Sequence, residues 1–314
     1  MDESGRRVAA MDIGSNSVRL MIAALDGRGE LTLVKKELVT TRIYEGLART
    51  GKLSDVAMDR TLSAIRILKE KADAAGASPL YCFATAAVRE AANRDVFLAR
   101  ARKECAVEVE VLTEEAEASV GFAGVREPGA LGILDIGGGS TEIAVGHDQQ
   151  VAYARSLKLG AVRALEKYPI GAPADSLALE AMRQWISHEF RTCGSEARAA
   201  AAALPGIRWA GIGGTITTLA AIDLKMAQYD CARVQGYILT RTTVEKTLQR
   251  LAGMTMERRR QVPGLPPERA DIILGGAAIV LEFLLFFGVE ELVVSDRDNL
   301  EGYLTHILKE RSAQ

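Results

Sequence analysis

The chain has 314 residues, of which 48% are hydrophobic and 25% charged, with a formal net charge of −2. That length suits two domains of ordinary size, each able to bury its own core. A near-neutral chain has no global field to gather a polyanion, so nucleic-acid binding through a basic face is not indicated and any anion site must be built locally.

Met1-Asp2-Glu3-Ser4-Gly5 leads straight into a strand-like run, so no secretory h-region is expected. Val8-Ala9-Ala10-Met11 precedes Asp12-Ile13-Gly14-Ser15-Asn16-Ser17, and Val18-Arg19-Leu20-Met21-Ile22 alternates after it. The pattern predicts strand, Gly/Ser turn, strand. A third strand is expected over 31–39. Met58, Leu62, Ile65 and Leu68 form a helical stripe over 53–74, with Ser54-Asp55 as start and Gly76 as stop. A strand over 80–84, a helix over 94–105 and a strand over 107–112 follow. Thr113 then caps a helix whose first turn holds Glu114 and Glu115.

Glu127-Pro128-Gly129 reads as a linker. It divides an N-terminal lobe over 1–126 from a C-terminal lobe over 127–297. A helix over 298–314 can pack back on either lobe and is grouped with the first. The second lobe repeats the opening phrase: Leu131-Gly132-Ile133-Leu134, then Asp135-Ile136-Gly137-Gly138-Gly139-Ser140-Thr141, then Glu142-Ile143-Ala144-Val145. A strand over 151–157 and helices over 176–204 come next, broken by Pro205-Gly206. A strand over 208–212 runs into Gly213-Gly214-Thr215-Ile216-Thr217-Thr218, which opens a helix with its N–H groups toward a phosphate. Arg258-Arg259-Arg260 reads as a solvated helix end. The apolar stretch over 272–287 contains Gly275-Gly276 and Glu282 and falls short of the ~20 residues a membrane span needs, so a buried helix is expected. The last strand is placed over 291–295. Strands followed by helices, twice over, argue an α/β architecture.

The doubled turn carries the chemistry. Glycines bring successive N–H groups to one side of a turn, neighbouring hydroxyls add donors, and the preceding Asp suits a divalent cation. No G-x-x-x-x-G-K-[ST] loop competes, nor a G-x-G-x-x-G that opens a helix after a strand. Cys82, Cys105, Cys193 and Cys231 show no metal-ligand spacing and read as reduced thiols of a cytoplasmic protein.

Taken together and in order, these phrases resemble the exopolyphosphatase/guanosine pentaphosphate phosphohydrolase (Ppx/GppA) family, within the actin-like and Hsp70-type ATPase superfamily. The resemblance covers about 9–304 and also draws on Ala84-Thr85-Ala86-Ala87-Val88-Arg89 with Asn93, Glu114-Glu115-Ala116 and Leu159-Gly160-Ala161-Val162-Arg163. It implies the short form of the family: two actin-like (ribonuclease H-like) lobes, each a mixed sheet flanked by helices, with an interlobe cleft. The implied reaction is release of the terminal phosphate from inorganic polyphosphate or guanosine pentaphosphate with Mg²⁺ or another divalent cation. By the same resemblance Glu115 is the general base, and Asp135 and Glu142 are the metal residues; Asp12, the Asp ahead of the first turn, is a further metal candidate by residue type. Phosphate contacts are expected from Gly14, Ser15, Asn16, Ser17, Arg19, Arg89, Gly137, Gly138, Gly139, Ser140, Thr141, Gly213, Gly214 and Thr215. Neither nucleic acid nor membrane is an expected partner, and a homodimer is left open.

Three departures stand out. Tyr44 sits where the family commonly has Gly, Gln235-Gly236-Tyr237 replaces His-Gly-Tyr, and Leu300 replaces an Arg in the segment Asp298-Asn299-Leu300-Glu301-Gly302. The last is expected to weaken the grip on phosphate. Two other readings remain open, a non-catalytic nucleotide sensor and a kinase-like phosphotransferase on the same superfold.

Overall fold

β1 (Arg6–Ile13) and β2 (Ser17–Leu25) are buried along most of their lengths, as strands are when both faces of their sheet are covered. They pair antiparallel from Arg6↔Leu25 to Ile13↔Val18. The computed structural model describes residues 6–26 and 30–312. In it the chain divides into two units, Met1–Gly124 with Asn299–Gln314, and Val125–Asp298.

In the first unit, β3 (Leu31–Thr40) extends the meander, and β4 (Leu80–Ala84) and β5 (Val109–Val111) add in parallel on the other side of β1. The strand order is β3-β2-β1-β4-β5. The crossover from β3 to β4 is the helix Asp55–Ala74, whose start is fixed by Ser54 Oγ accepting from Ala57 N. Its stripe of Met58, Leu62, Ile65 and Leu68 is buried, at about 1.5–3 kcal/mol for each large side chain. The helix Asn299–Ser312 completes this unit by packing Leu300, Tyr303 and Leu304 with Val8, Ala10, Phe83 and Val120. Leu300, where the family commonly has an Arg, is therefore a core residue of this unit.

The second unit repeats the plan. β6 (Ala130–Ile136), β7 (Thr141–His147) and β8 (Gln150–Leu157) form an antiparallel meander, and β9 (Arg208–Ile212) joins parallel to β6. β10 (Ile238–Thr240) and β11 (Glu291–Val294) complete the order β10-β11-β9-β6-β7-β8. The fold class is α/β, with two mixed sheets flanked by helices. The core centres on the helix Ile273–Phe287, buried from Ile273 through Leu284, with Trp209, Phe283 and Phe287 in mutual contact. Among the described residues no helix is long and apolar enough to cross a membrane.

The arginine run departs from its solvated reading. Arg258 and Arg260 are exposed, but Arg259 is only 1% exposed. Its guanidinium donates to the carbonyls of Leu251 and Ala270, both at 3.1 Å, and of Met254 at 3.4 Å. Three converging carbonyls satisfy the fork, which is what allows a charged group to be buried. Burial pulls its pKa below the usual arginine value, with Asp271 acting in the opposite sense.

Candidate active site

Each hairpin places an Asp opposite the residue seven positions later: Asp12↔Arg19 in the first unit and Asp135↔Glu142 in the second. Side chains at directly opposed positions share a face and lie close together. The two hairpins therefore differ in charge at one register position.

In the first unit Arg19 closes an ion pair on Asp12 through both Nε and Nη2. Arg19 thus engages Asp12 through the single oxygen Oδ2. Gly14 N–H donates to Ser17 O at 3.0 Å to close the turn. The carbonyl of Ser15 accepts from Tyr44 N, and that of Asn16 accepts from Thr41 N and Arg42 N. Ser15, Asn16 and Ser17 are all buried. The buried Asn16 carboxamide has no hydrogen-bond partner within the described residues at either Nδ2 or Oδ1.

The second loop is built by the same device. Gly137 N–H donates to Ser140 O at 3.0 Å. The Gly137 carbonyl accepts from Ala161 N at 3.0 Å, and the Gly138 carbonyl from Val162 N and Arg163 N at 2.9 and 3.1 Å. The Gly139 carbonyl accepts from Arg163 Nε at 2.7 Å, and Thr141 Oγ1 donates to Leu159 O. The carbonyls of Gly137, Gly138 and Gly139 are thus engaged by the segment 159–163, and Ser140 beside them is buried.

Asp135 is 6% exposed and Glu142 3%. Ser156 Oγ donates to Glu142 Oε1 at 2.7 Å and fixes that carboxylate. Asp135 Oδ1 lies against Gly213, whose φ of +80° and missing Cβ admit the close approach. Thr215 Oγ1 donates to Ile136 O at 3.4 Å, tying the Gly213–Thr215 turn to the end of β6. The guanidinium of Arg269 occupies the space where a Gly214 Cβ would be. Sequence reading had not singled out Arg269, which belongs to no glycine phrase and lies 55 positions from Gly214.

On the helix Glu114–Val125 of the first unit, Glu115 is exposed, whereas Glu117 is 4% exposed. Arg89 Nη1 donates to Glu117 Oε2 at 2.6 Å and to Leu112 O at 3.0 Å, while its Nε has no partner. The pairing sets Glu117 apart from the Glu115 that the motif had indicated. Among the described residues there is no cluster of three or more His, Cys, Asp or Glu able to hold a metal by themselves.

The Ppx/GppA phosphatase family model matches residues 21–311. The chain belongs to the Ppx/GppA phosphatase family. This Ppx/GppA chain is similar to exopolyphosphatase 2 of Mycobacterium tuberculosis, at 34% identity over 94% of this chain and 97% of that protein. It is also similar to the solved Ppx/GppA family member of Aquifex aeolicus, at 30% identity and a TM-score of 0.79, over 97% and 98% of the two chains. An exopolyphosphatase structure from Cytophaga hutchinsonii, 23% identical, has a TM-score of 0.86 over 97% of this chain and 98% of that one, a likeness of fold alone. The two-lobed actin-like architecture is that of the family.

Proposed function

We propose that this Ppx/GppA phosphatase is a divalent-cation-dependent hydrolase that releases the terminal phosphate of inorganic polyphosphate or guanosine pentaphosphate. The observation that carries the reading is the buried, directly opposed pair Asp135 and Glu142 at the base of a glycine loop whose carbonyls are already engaged. Like charges facing each other across a hairpin are unfavourable alone. Two carboxylates also suit Mg²⁺, which takes oxygen ligands and completes its shell with water and substrate phosphate. Asp135 and Glu142 would hold the ion, and Asp12, paired with Arg19, is left out of the set. When bound, such an ion neutralises charge on the phosphoryl oxygens. The relative named exopolyphosphatase 2 supports a phosphoanhydride substrate.

Phosphoryl transfer asks the protein mainly for positioning and charge stabilisation. Amides of Gly138–Ser140 and the turn Gly213–Thr215 bind phosphate oxygens, and Arg269 adds positive charge beside Gly214. Orienting the attacking water needs a carboxylate held in one geometry. We assign that task to Glu117, fixed by Arg89, rather than to the exposed Glu115. The four free cysteines accord with a cytoplasmic setting.

The test is phosphate release from short polyphosphate and from guanosine pentaphosphate, with Mg²⁺ and with chelator. Activity is expected only with the metal, with a loss of about 10²-fold or more in Glu142→Gln and Glu117→Gln and little change in Glu115→Gln. Loss in Glu115→Gln with full activity in Glu117→Gln would reverse the assignment of the base. Tight nucleotide binding with no phosphate released would replace the enzyme with a sensor.

A further inference from the structure

Tyr229 follows the helix Gly213–Asp223 and is 54% exposed as a residue, although its hydroxyl is tied down. That hydroxyl donates to the Asp296 carboxylate. Asp296 is fixed in turn, its N–H donating to Gln235 Oε1 at 2.9 Å. The adjacent Ser295 N–H donates to Gly211 O at 2.9 Å, where β11 and β9 end. Gly213 lies two residues beyond Gly211, so the phenol is anchored at the strand end that carries the Gly213–Thr215 turn and Asp135. Thr217 neighbours the phenol hydroxyl and reaches the Gly213 carbonyl at 3.1 Å. Gln235, where the family commonly has His, is thus part of the frame that holds the ring.

A half-exposed aromatic ring pinned at its polar end loses little entropy when a flat partner stacks on it. A phenol ring stacks on a flat, uncharged group, so the end of a ligand that suits it is its planar base. We propose that Tyr229 is a stacking platform for the base of a nucleoside 5′-polyphosphate whose phosphates lie on the Gly137–Thr141 and Gly213–Thr215 turns. The proposal rests on the reading of those turns as phosphate sites, and it makes Tyr229 a residue that separates nucleotide from inorganic substrates.

The experiment compares binding of GTP and of inorganic tripolyphosphate by calorimetry with Mg²⁺, in the wild type, Tyr229→Ala and Tyr229→Phe, with folding checked by circular dichroism. The two ligands have three phosphates each, and tripolyphosphate has the higher charge, so any preference for GTP comes from its nucleoside. Stacking on one aromatic ring predicts a preference of about tenfold in the wild type. Tyr229→Ala should abolish it by weakening GTP alone, and Tyr229→Phe should keep most of it. Equal binding of the two ligands by the wild type, or an unchanged preference in Tyr229→Ala, overturns the platform. Failure of either ligand to bind would remove the phosphate reading with it. A retained preference without phosphate release would remove only the hydrolase.

Discussion

Gly160 is the sharpest probe of how the second phosphate loop is held. Its φ and ψ of −147° and 161° are extended backbone that any residue adopts, so Gly160→Ala carries no conformational penalty. The penalty is steric. A Cβ there would stand 2.5 Å from the carbonyl carbons of Gly138 and Gly139, and closer still to the Gly138 oxygen. Restoring ordinary contact needs a displacement of about 1 Å between the loop and the segment 159–163. Such overpacking costs about 1–3 kcal/mol, or a few degrees in melting temperature for a domain of this size. A misplacement of about 1 Å in a positioning element costs about 10²-fold in rate. The expected result is a folded protein with a modest fall in Tm and a kcat/KM for short polyphosphate reduced about a hundredfold. Gly253→Ala is the control, because its new Cβ meets nothing closer than 3.8 Å and should leave both quantities unchanged. Wild-type kcat/KM in Gly160→Ala would refute the claim that the segment 159–163 sets the geometry of the loop.

Two further outcomes are expected. Arg259→Met leaves three buried carbonyls without their donor and should lower stability by about 3 kcal/mol or more in denaturant titration, while the folded fraction keeps its specific activity. Thiol titration of the native protein at pH 8 should modify exposed Cys231 first and leave Cys82 untouched until unfolding. Burial pushes the Cys82 thiol up to about 12, leaving about one in ten thousand as thiolate at that pH. Early modification of Cys82 would contradict its placement in the core.

What was legible in the sequence is what local composition encodes. The two Asp-Ile-Gly turns announced themselves because the glycines, hydroxyls and flanking alternation all lie within a dozen residues. The helix Arg94–Cys105 and the strand Arg208–Ile212 were readable for the same reason. β10 was not, since three residues at a sheet edge are too few to show a period. The ion pair that fixes Glu117 depends on Arg89, 28 positions away, and no spacing rule reaches that far. Arg269 and the clasp on the glycine loop depend on distant segments in the same way. The arginine run misled because composition cannot tell that three carbonyls, from positions 251, 254 and 270, converge on its middle member.

The helix Asn299–Ser312 has a consequence for the order in which the chain matures. The core it completes joins Val8 and Ala10 to Leu300, Tyr303 and Leu304, and Gly302 brings the helix within 2.8 Å of the Val120 carbonyl carbon, measured from where a Cβ would be. During synthesis the first unit begins to emerge before the second, yet it cannot close its core until residue 304 has been made. The second unit is continuous in sequence and has all its strands and helices available by then. Domains generally fold as units during synthesis, so the half that is started first is the half that is finished last.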